Sequence, residues 1–255
     1  TEVENIANKA GFAEICQKNE LPIPKTWKVD AKEDIPQLAS DSEFTFPLFI
    51  KAVDMSGSIG IKLVASHQDI EDIIADETYI YSPLVVQRYV HGIDVCLSFM
   101  ALEGSIELAY SQKVTNSEVN FPVLDDFFQI AKLLAKSINY TGVANLDARI
   151  DDEGKLQLIE CNPRFWASSP LSCLLGIDII AEAKGMSEGK PLLTRYYSDQ
   201  HHFSFANATL GLFSYGPLSR KKSRRFFDLI LRDIPGFLLT KLPNLRPLAA
   251  LSVTR

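Results

Sequence analysis

Hydrophobic and polar positions alternate along the chain with two periods, which separates predicted helices from predicted strands. Residues 3–19 and 123–138 carry apolar side chains at helical spacing, and residues 67–75 repeat that pattern over a shorter span. Short alternating or apolar runs bounded by turn residues predict strands. These strands lie at residues 46–53, 61–64, 84–90, 93–101, 106–114, 142–150 and 156–164. Two short helices are predicted after them, at residues 170–175 and from residue 178 through residue 183.

The last two predicted strands form a β-hairpin around the turn Asp151–Gly154. Since residues two apart share one face of a strand, Asn145 and Asp147 point the same way, and so do Glu160 and Asn162. A two- or four-residue loop pairs Asp147 with Glu160 and Asn145 with Asn162. A three-residue loop with a bulge at its glycine would instead place the two carboxylates on opposite faces.

Two carboxylates and an amide at one wall of a hairpin offer the hard oxygen ligands that suit Mg²⁺. A solvated acidic surface is the competing interpretation, in which Asn-Pro-Arg is only a strand exit. Like charges directly opposite each other destabilise a sheet unless a cation lies between them, and this favours a metal. The sequence therefore predicts a metal site at Asp147, Glu160 and Asn162, with Arg164 beyond it as a bidentate phosphate ligand.

A second polar segment follows the predicted strand at residues 46–53. The turn at residues 54–60 reads Asp-Met-Ser-Gly-Ser-Ile-Gly, and its glycines let backbone amides approach phosphate oxygens while Lys51 supplies a cation. A hairpin turn without any such role is the alternative. A protein kinase places its glycine loop before its strand lysine, so the order found in this chain argues against that class.

Composition bounds the class of protein. The chain has 255 residues, 46% of them hydrophobic and 23% charged, with a formal net charge of −6, which fits one large or two small globular domains. It has no signal peptide and no apolar run of about eighteen residues, from which we expect a soluble, cytoplasmic protein. The cysteines lack metal-type spacing, so we expect reduced core thiols at Cys16, Cys96, Cys161 and Cys173.

Charge sets the C-terminal quarter apart. Residues 1–190 hold 16 Lys and Arg against 29 Asp and Glu, whereas residues 191–255 hold 10 against 3. One more strand is predicted at residues 204–213, followed by a basic amphipathic helix over residues 220–231. Nucleic acid, an anionic membrane surface and an acidic partner are the specific interpretations of this helix. A solvated face is favoured over all three, and membrane contact through residues 220–232 stays open.

The segments Asn145-Leu-Asp147 and Glu160-Cys-Asn-Pro-Arg-Phe165 together resemble the metal-binding end of the ATP-grasp superfamily. The resemblance is to the branch that contains the carbamoyl-phosphate synthase large subunit and its predicted carboligase relatives, and it extends in order over residues 7–190. It implies an α+β fold in which two subdomains with mainly antiparallel sheets grip ATP. The implied division is a helical segment at residues 1–22, a lid at 23–88, a metal-binding subdomain at 89–195 and a basic extension at 196–255.

The same resemblance implies a set of nucleotide contacts. Lys9 lies where the family usually has Asp-Lys, Lys51 and the following turn match its phosphate-covering loop, and residues 84–94 match its adenine and ribose hinge. The family commonly has glutamate where this chain has Gln87 and Asp94. From the residues alone, a solvated Lys9 and a buried central strand are the competing interpretations. The implied ATP contacts are Lys9, Lys51, Ser56, Gly57, Ser58, Gly60, Gln87, Arg88, Val90 and Asp94.

The function implied is ATP-dependent carboxylate ligation with Mg²⁺, or Mn²⁺, as cofactor and with Arg164 and Lys51 as catalytic residues. A carboxylate becomes an acyl phosphate, ADP is released, and an amine or another nucleophile displaces phosphate. The implied partners are these small molecules, with the family's usual N-terminal domain absent from this chain and a homo-oligomer left open. The alternative is a non-catalytic ATP-binding module that acts as a sensor or scaffold, which the change at Gln87 favours. A third interpretation, an anchored surface-polymer enzyme, rests on the basic tail alone.

Overall fold

The computed structural model describes residues 2–55, 57, 59–114, 118–166, 169–190 and 195–232, with the side chains of residues 2, 200 and 232 excepted. The helices are α1 (Glu2–Ala7), α2 (Lys9–Lys18), α3 (His67–Ala75), α4 (Asp125–Ser137), α5 (Ser172–Leu175), α6 (Ile179–Ser187), α7 (Phe205–Leu212) and α8 (Arg220–Arg232). The strands are β1 (Thr26–Val29), β2 (Leu48–Ala52), β3 (Ile61–Val64), β4 (Leu84–Arg88), β5 (Gly92–Leu102), β6 (Ser105–Val114), β7 (Glu118–Phe121), β8 (Gly142–Asp151), β9 (Leu156–Asn162), β10 (Arg195–Tyr197) and β11 (Asp199–Ser204). Two 3-10 helices cover Lys32–Ser40 and Ser169–Leu171.

The chain divides into two compact units. The first unit comprises Thr1–Ile106 and Asp125–Phe165, and the second comprises Glu107–Leu124 and Trp166–Arg255. Within the described residues, no helix combines the length and the apolar character that crossing a bilayer requires. The predicted division at residues 22, 88 and 195 stays a prediction.

A four-stranded antiparallel sheet forms the first half of unit one, in the order β1-β4-β2-β3. The alternating residues Leu48 and Ile50 of β2 turn into a core shared with α3, where Ile70 and Ile73 are buried. The central strands β2 and β4 are buried at nearly every position, which is the pattern of a sheet covered on both faces. The predicted bounds of α3 and β3 are confirmed residue for residue. The sequence prediction missed β1.

A second antiparallel group in unit one, β5-β8-β9, carries the predicted hairpin. Strands β5 and β8 pair over their whole length, from Gly92 opposite Asp151 to Ala101 opposite Gly142. The predicted helix at residues 123–138 is confirmed as α4, and its apolar face is buried. The buried residues of that face are Phe127, Ala131, Leu134 and Ala135.

The predicted continuous helix over residues 3–19 is wrong, because the chain breaks at Asn8. Asn8 adopts an extended backbone (φ −92°, ψ 130°), and its side-chain oxygen accepts hydrogen bonds from the backbone amides of Ala10 and Gly11. These bonds satisfy two amides that a helix start otherwise leaves without partners. The helical spacing of apolar residues continues across the break, so the pattern alone did not reveal it. The break makes Lys9 the first residue of α2.

Unit two contains an antiparallel group, β11-β7-β6, with β10 added parallel to β6. Rings of Tyr110, Phe121 and Phe203 pack edge to face in its core, with centroids 6.2 and 5.8 Å apart. The predicted strand at residues 204–213 is wrong. Ser204 ends β11 and caps α7, its Oγ accepting from the amide of Asn207 at 3.2 Å. A short apolar run does not distinguish strand from helix by periodicity, whereas a serine before it is a helix-start signal.

The last described helix, α8, confirms the predicted basic amphipathic helix. It packs against α7 at Gly211, where an added Cβ would lie 2.2 Å from Ser223 Oγ and 2.5 Å from the carbonyl oxygen of Leu218. Glycine is therefore required for this close approach. Residues 233–255 of the predicted basic extension lie outside the described residues.

Candidate active site

The hairpin of β8 and β9 has the predicted register at its polar end. Asp147 lies opposite Glu160, and Asn145 lies opposite Asn162. The predicted two- or four-residue loop, however, is wrong. Three residues lie between the closing pair Asp151 and Lys155, with the amide of Asp151 donating to the carbonyl of Lys155 at 2.9 Å and a left-handed glycine (φ 81°) in the loop.

A β-bulge reconciles this loop with the register. From the loop, Ile150 pairs with Leu156 and Ala148 with Leu158, and the register then shifts before Asp147 meets Glu160. The amide of Leu158, on the edge of β9 away from β8, donates to the carbonyl of Pro22 at 2.8 Å. Since a bulge adds one residue to one strand, it returns both carboxylates to the same face.

Amide side chains hold the carboxylates of this face. Asn145, which is buried, donates from Nδ2 to Asp147 Oδ1 at 2.8 Å and accepts from Ser98 Oγ at 2.9 Å. Asn162 Nδ2 lies 3.3 Å from Asp147 Oδ2 and 3.2 Å from Glu160 Oε1. The paired carboxylates and the amide of Asn162 are thus brought together as the sequence predicted.

Burial and, after it, the negative charge of Glu160 together raise the pKa of Asp147 to about 7, while the hydrogen bond from Asn145 opposes the shift. A buried pair of like charges is costly, and a cation placed between them removes that cost. In the described parts of the chain, no group of three His, Cys, Asp or Glu side chains is placed to hold a metal. A metal here therefore depends on two carboxylates and an amide oxygen, which a half-turn of the Asn162 amide would present. This donor set fits Mg²⁺.

Arg164 lies just beyond β9, as predicted. Its Nη2 donates to Asn162 Oδ1 at 3.3 Å, while its backbone amide donates to the carbonyl of the same residue at 2.8 Å. The guanidinium is largely exposed. A planar guanidinium in this position can turn towards an oxyanion near the carboxylate pair.

Lys9 is directed towards the turn that follows β2. Its Nζ donates to the carbonyl of Met55, and burial lowers its pKa while the charges of Glu160 and Asp54 oppose that shift. Asn8 donates from Nδ2 to Asp54 Oδ1 at 2.7 Å. An aspartate at position 8 could not donate this hydrogen bond. The asparagine that replaces the family's usual aspartate therefore has a specific partner in Asp54.

Lys51 is a buried cation of β2. Its Nζ donates to Gln87 Oε1 at 2.6 Å and lies 5.3 Å from the centre of the Phe49 ring. Burial lowers the pKa of Lys51 to about 8, an effect that the charge of Glu160 opposes and the charges of Lys9 and Arg149 strengthen. A buried ammonium that is paired with an amide rather than a carboxylate keeps its charge available for an anion.

The hydrogen-bond chain at Gln87 explains why an amide occupies this position. Thr26 Oγ1 donates its one proton to the carbonyl of Pro24 at 2.7 Å and accepts from Gln87 Nε2 at 2.9 Å. The other end of the Gln87 amide accepts from Lys51. A glutamate could accept from Lys51 but could not donate to Thr26.

The predicted adenine hinge continues from β4. The amide of Arg88 donates to the carbonyl of Lys25 at 2.9 Å, and the amide of Tyr89 donates to the carbonyl of Pro47 at 3.1 Å. Backbone carbonyls of the protein therefore already accept hydrogen bonds from both amides. One of the two, the amide of Arg88, belongs to a predicted nucleotide contact.

Arg149 is a residue whose role the sequence analysis missed. Its Nε donates to Asp94 Oδ1 at 2.7 Å, its Nη1 donates to the carbonyl of Val90 at 2.8 Å, and its guanidinium carbon lies 5.3 Å from the centre of the Tyr89 ring. Asp94 and Arg149 are direct partners across β5 and β8. Arg149 thus connects the predicted ribose carboxylate to the hinge backbone. The sequence signal that could have revealed this role is the position of Arg149, two residues beyond Asp147 and therefore on the same strand face.

The predicted phosphate-covering turn is only partly described. Ser56 and Ser58 lie outside the described residues. Gly57 (φ 67°) and Gly60 (φ 71°) both adopt the left-handed backbone that favours glycine. The carbonyl of Gly60 accepts from the amide of Ala52 at 3.2 Å and from the hydroxyl of Tyr79 at 2.8 Å, which fixes the far end of the turn.

Taken together, unit one is an α+β structure with two antiparallel sheets. A half-buried carboxylate pair lies within electrostatic reach of two partly or fully buried lysines. Residues 6–168 match the family described as ATP-grasp domain, and the chain belongs to that family. The predicted family and the predicted α+β ATP-grasp fold are confirmed.

Individual relatives agree with this assignment. The chain is 25% identical to a D-aspartate ligase of Enterococcus faecium over 207 residues, which cover 69% of this chain and 48% of the ligase. It is 22% identical to the arginine-specific carbamoyl phosphate synthase large chain of Bacillus subtilis, covering 65% of this chain and 18% of that protein. The chain thus spans less than half the length of each.

A solved structure shares the fold. The biotin carboxylase domain dimer of the 2-oxoglutarate carboxylase of Hydrogenobacter thermophilus, in complex with MgADP, ADP and bicarbonate, superposes with a TM-score of 0.64. The match has 16% identity and covers 74% of this chain and 47% of that one. At this identity, the likeness is one of fold.

Proposed function

We propose that the chain is the ATP-binding and metal-binding part of an ATP-dependent ligase that activates a carboxylate as an acyl phosphate. The observation that carries the proposal is the pairing of Asp147 with Glu160 on one face of the β8–β9 hairpin, where burial raises the pKa of Asp147 to about 7. A fold without need of a cation gains nothing from two carboxylates in this position. The relatives named ligase and synthase support the same class of reaction.

The proposed nucleotide site combines two lysines with backbone groups. Lys9 and Lys51 bind phosphate oxygens, and the turn after β2 covers them with backbone amides. Asp94 accepts from ribose hydroxyls while Arg149 fixes its orientation. The turn and hinge residues proposed for the nucleotide are Ser56, Gly57, Ser58, Gly60, Gln87, Arg88 and Val90.

Asp147, Glu160 and Asn162 would hold Mg²⁺, and the same hard ligands would accept Mn²⁺. An ion held there would neutralise charge on the transferring phosphoryl group. Arg164, two residues beyond Asn162, orients the acyl phosphate through its guanidinium.

The proposed reaction has two steps. A carboxylate oxygen of the substrate attacks the γ-phosphorus of ATP, and the bond to the β–γ bridging oxygen breaks, so ADP leaves with that oxygen. An amine then attacks the acyl carbon and expels inorganic phosphate. The side chains at the site position these groups and stabilise charge, and neither step requires a dedicated general base. Formation of a C–N bond, in the manner of a carboxylate–amine ligase or of carbamoyl-phosphate synthase, is the proposed outcome.

The pH dependence of nucleotide binding tests the role of Lys51. Its ammonium form binds phosphate, and burial lowers its pKa to about 8, so ATP affinity should fall as the pH rises through that value. Gln87→Glu places a carboxylate against Lys51, raises the pKa of the lysine and moves the fall to higher pH. The dissociation constant of ATP, measured from about pH 6 to about pH 10, gives both profiles. An identical midpoint in the two proteins would contradict the role given to Lys51.

The whole reaction is tested with the full-length protein. ADP release is measured with MgATP and a panel of carboxylates that includes D-aspartate and bicarbonate, with hydroxylamine as the nucleophile. Hydroxamate formed in proportion to ADP supports acyl phosphate chemistry. ATP binding without carboxylate-dependent ADP release across the panel would favour the alternative, a non-catalytic sensor or scaffold.

Subdomain roles, assembly and location extend this proposal. We assign residues 23–88 as the lid and residues 89–195 as the metal-binding part, with a further domain binding the acceptor. The cytoplasm is the proposed location, because all four cysteines of the chain are free thiols. A homo-oligomer is proposed by analogy with the dimeric carboxylase domain.

A further inference from the structure

Helices α7 and α8 form an antiparallel pair at one surface of unit two. The rings of Phe205, at the start of α7, and Phe227, late in α8, lie 5.5 Å apart. At the opposite end of the pair, Arg220 Nε donates to the carbonyl of Leu212 at 3.1 Å. The two contacts fix which residues of the helices are neighbours.

One face of α8 is turned away from the core. Ser223 and Phe226 are buried, and the opposite side of the helix faces the solvent. Residues spaced by three, four and three positions share one helical face, and in α8 the exposed stripe contains Lys221, Arg224, Asp228 and Leu231.

Large apolar side chains surround this stripe and are open to solvent. The exposed fractions are 54% for Phe205, 66% for Phe213, 85% for Tyr215 and 66% for Leu231. Single exposed apolar residues are ordinary, but several on one small helical pair mark a contact surface. The solvated face favoured by sequence does not account for them.

The charge of the same surface is positive. Arg220, Lys221 and Arg224 are exposed and outnumber the exposed carboxylate of Asp228 on the same helix, while Asp199 is engaged by Lys222 at 2.6 Å. Residues 195–232 contain seven Lys and Arg against two Asp. An open cleft of about 480 Å³ at the start of α8 adds hydroxyl and cationic donors from Ser214, Ser219, Arg220 and Lys222.

We propose that the α7–α8 surface docks on an anionic lipid bilayer. Phosphate headgroups meet the arginines and the cleft at the start of α8, and the exposed aromatic and leucine side chains enter the interfacial region. Exposed rings beside cations distinguish this surface from a purely electrostatic face for an acidic protein or nucleic acid. Docking would place the ATP-binding unit near substrates held at a membrane.

Vesicle co-sedimentation of the full chain tests the proposal. The protein should partition onto vesicles of phosphatidylglycerol and phosphatidylcholine, bind pure phosphatidylcholine vesicles much less, and dissociate at high salt. Exchanging Lys221 and Arg224 for glutamine removes two cations and should weaken partition about 30-fold. Phe213→Ser with Leu231→Ser should weaken it at least about tenfold.

A matched control lies on α4, where Lys132 and Lys136 are exposed on another helix. Lys132→Gln with Lys136→Gln makes the same change in net charge and should leave partition unchanged. Melting temperatures establish that each variant is folded. No partition of the wild-type chain, equal loss in the α4 control, or binding to duplex DNA in place of vesicles would each overturn the proposal. None of these outcomes bears on ADP release, which tests the ligase proposal separately.

Discussion

Glu160→Gln is expected to lower kcat at least about 100-fold, because it removes one formal charge from the proposed Mg²⁺ ligands while keeping size and hydrogen bonding. ATP affinity, measured at about pH 6 so that Lys51 stays charged without the support of Glu160, should fall less than about tenfold, since the hinge and both lysine side chains are retained. Without metal, the variant should be more stable than the wild type by about 1 kcal/mol, because the charge that raises the pKa of Asp147 is gone. Steady-state ADP release, ATP titration and thermal unfolding in chelator measure the three effects.

Glu153→Gln is the matched control, since Glu153 lies at the exposed loop of the same hairpin, in contact with Lys155. It should alter neither kcat nor ATP affinity. An unchanged rate of ADP release in Glu160→Gln would contradict the role given to that residue. An unfolded Glu160→Gln variant would assign Glu160 to the structure of the hairpin instead.

Lys51→Met is expected to weaken ATP binding about 10- to 100-fold, because a charge-assisted hydrogen bond to phosphate is lost. The same change should raise the free energy of unfolding at neutral pH by about 1–3 kcal/mol, since it removes a buried charge. Because the folded pKa of Lys51 is about 8, against 10.5 for the ordinary side chain, the unfolded chain binds more protons between those values. The wild type therefore gains stability from this group as the pH rises through that window, and the difference from Lys51→Met shrinks.

Lys62→Met provides the control, because Lys62 lies on the adjacent strand β3 and is exposed. Its removal should change ATP affinity little and stability by no more than about 0.5 kcal/mol. Isothermal titration and denaturant unfolding near neutral pH and above pH 8 separate the binding effect from the stability effect. A Lys51→Met variant that is less stable yet binds ATP normally would contradict both assignments.

The β8–β9 hairpin shows which structural features sequence periodicity predicts and which it does not. Alternation placed the carboxylates on one face correctly, but the loop of three residues was not the one expected. The bulge that restores the register lies within the strands, between the pair Ala148–Leu158 and the pair Asp147–Glu160. No turn residue marks a bulge at this position, so the alternating pattern did not reveal it.

The misassigned elements follow from competing local signals. Apolar spacing ran through Asn8 without interruption, although its cap ended one helix and began another. At Ser204 the apolar run was short enough to fit a strand, and the serine cap was the informative residue. Arg149 was missed as a partner of Asp94, because the pairing of β5 with β8 joins strands that no short loop connects.

Transfer of labelled oxygen tests the central claim most directly. The full-length protein is supplied with MgATP, a nucleophile and a carboxylate substrate that carries oxygen-18 in its carboxyl group, and the released phosphate is analysed by mass spectrometry. An acyl phosphate intermediate predicts that each phosphate carries one labelled oxygen, because the substrate oxygen that attacked phosphorus leaves with it when the nucleophile displaces phosphate from the acyl carbon. Phosphate with oxygen only from ATP and solvent would mean simple hydrolysis, and would contradict the account.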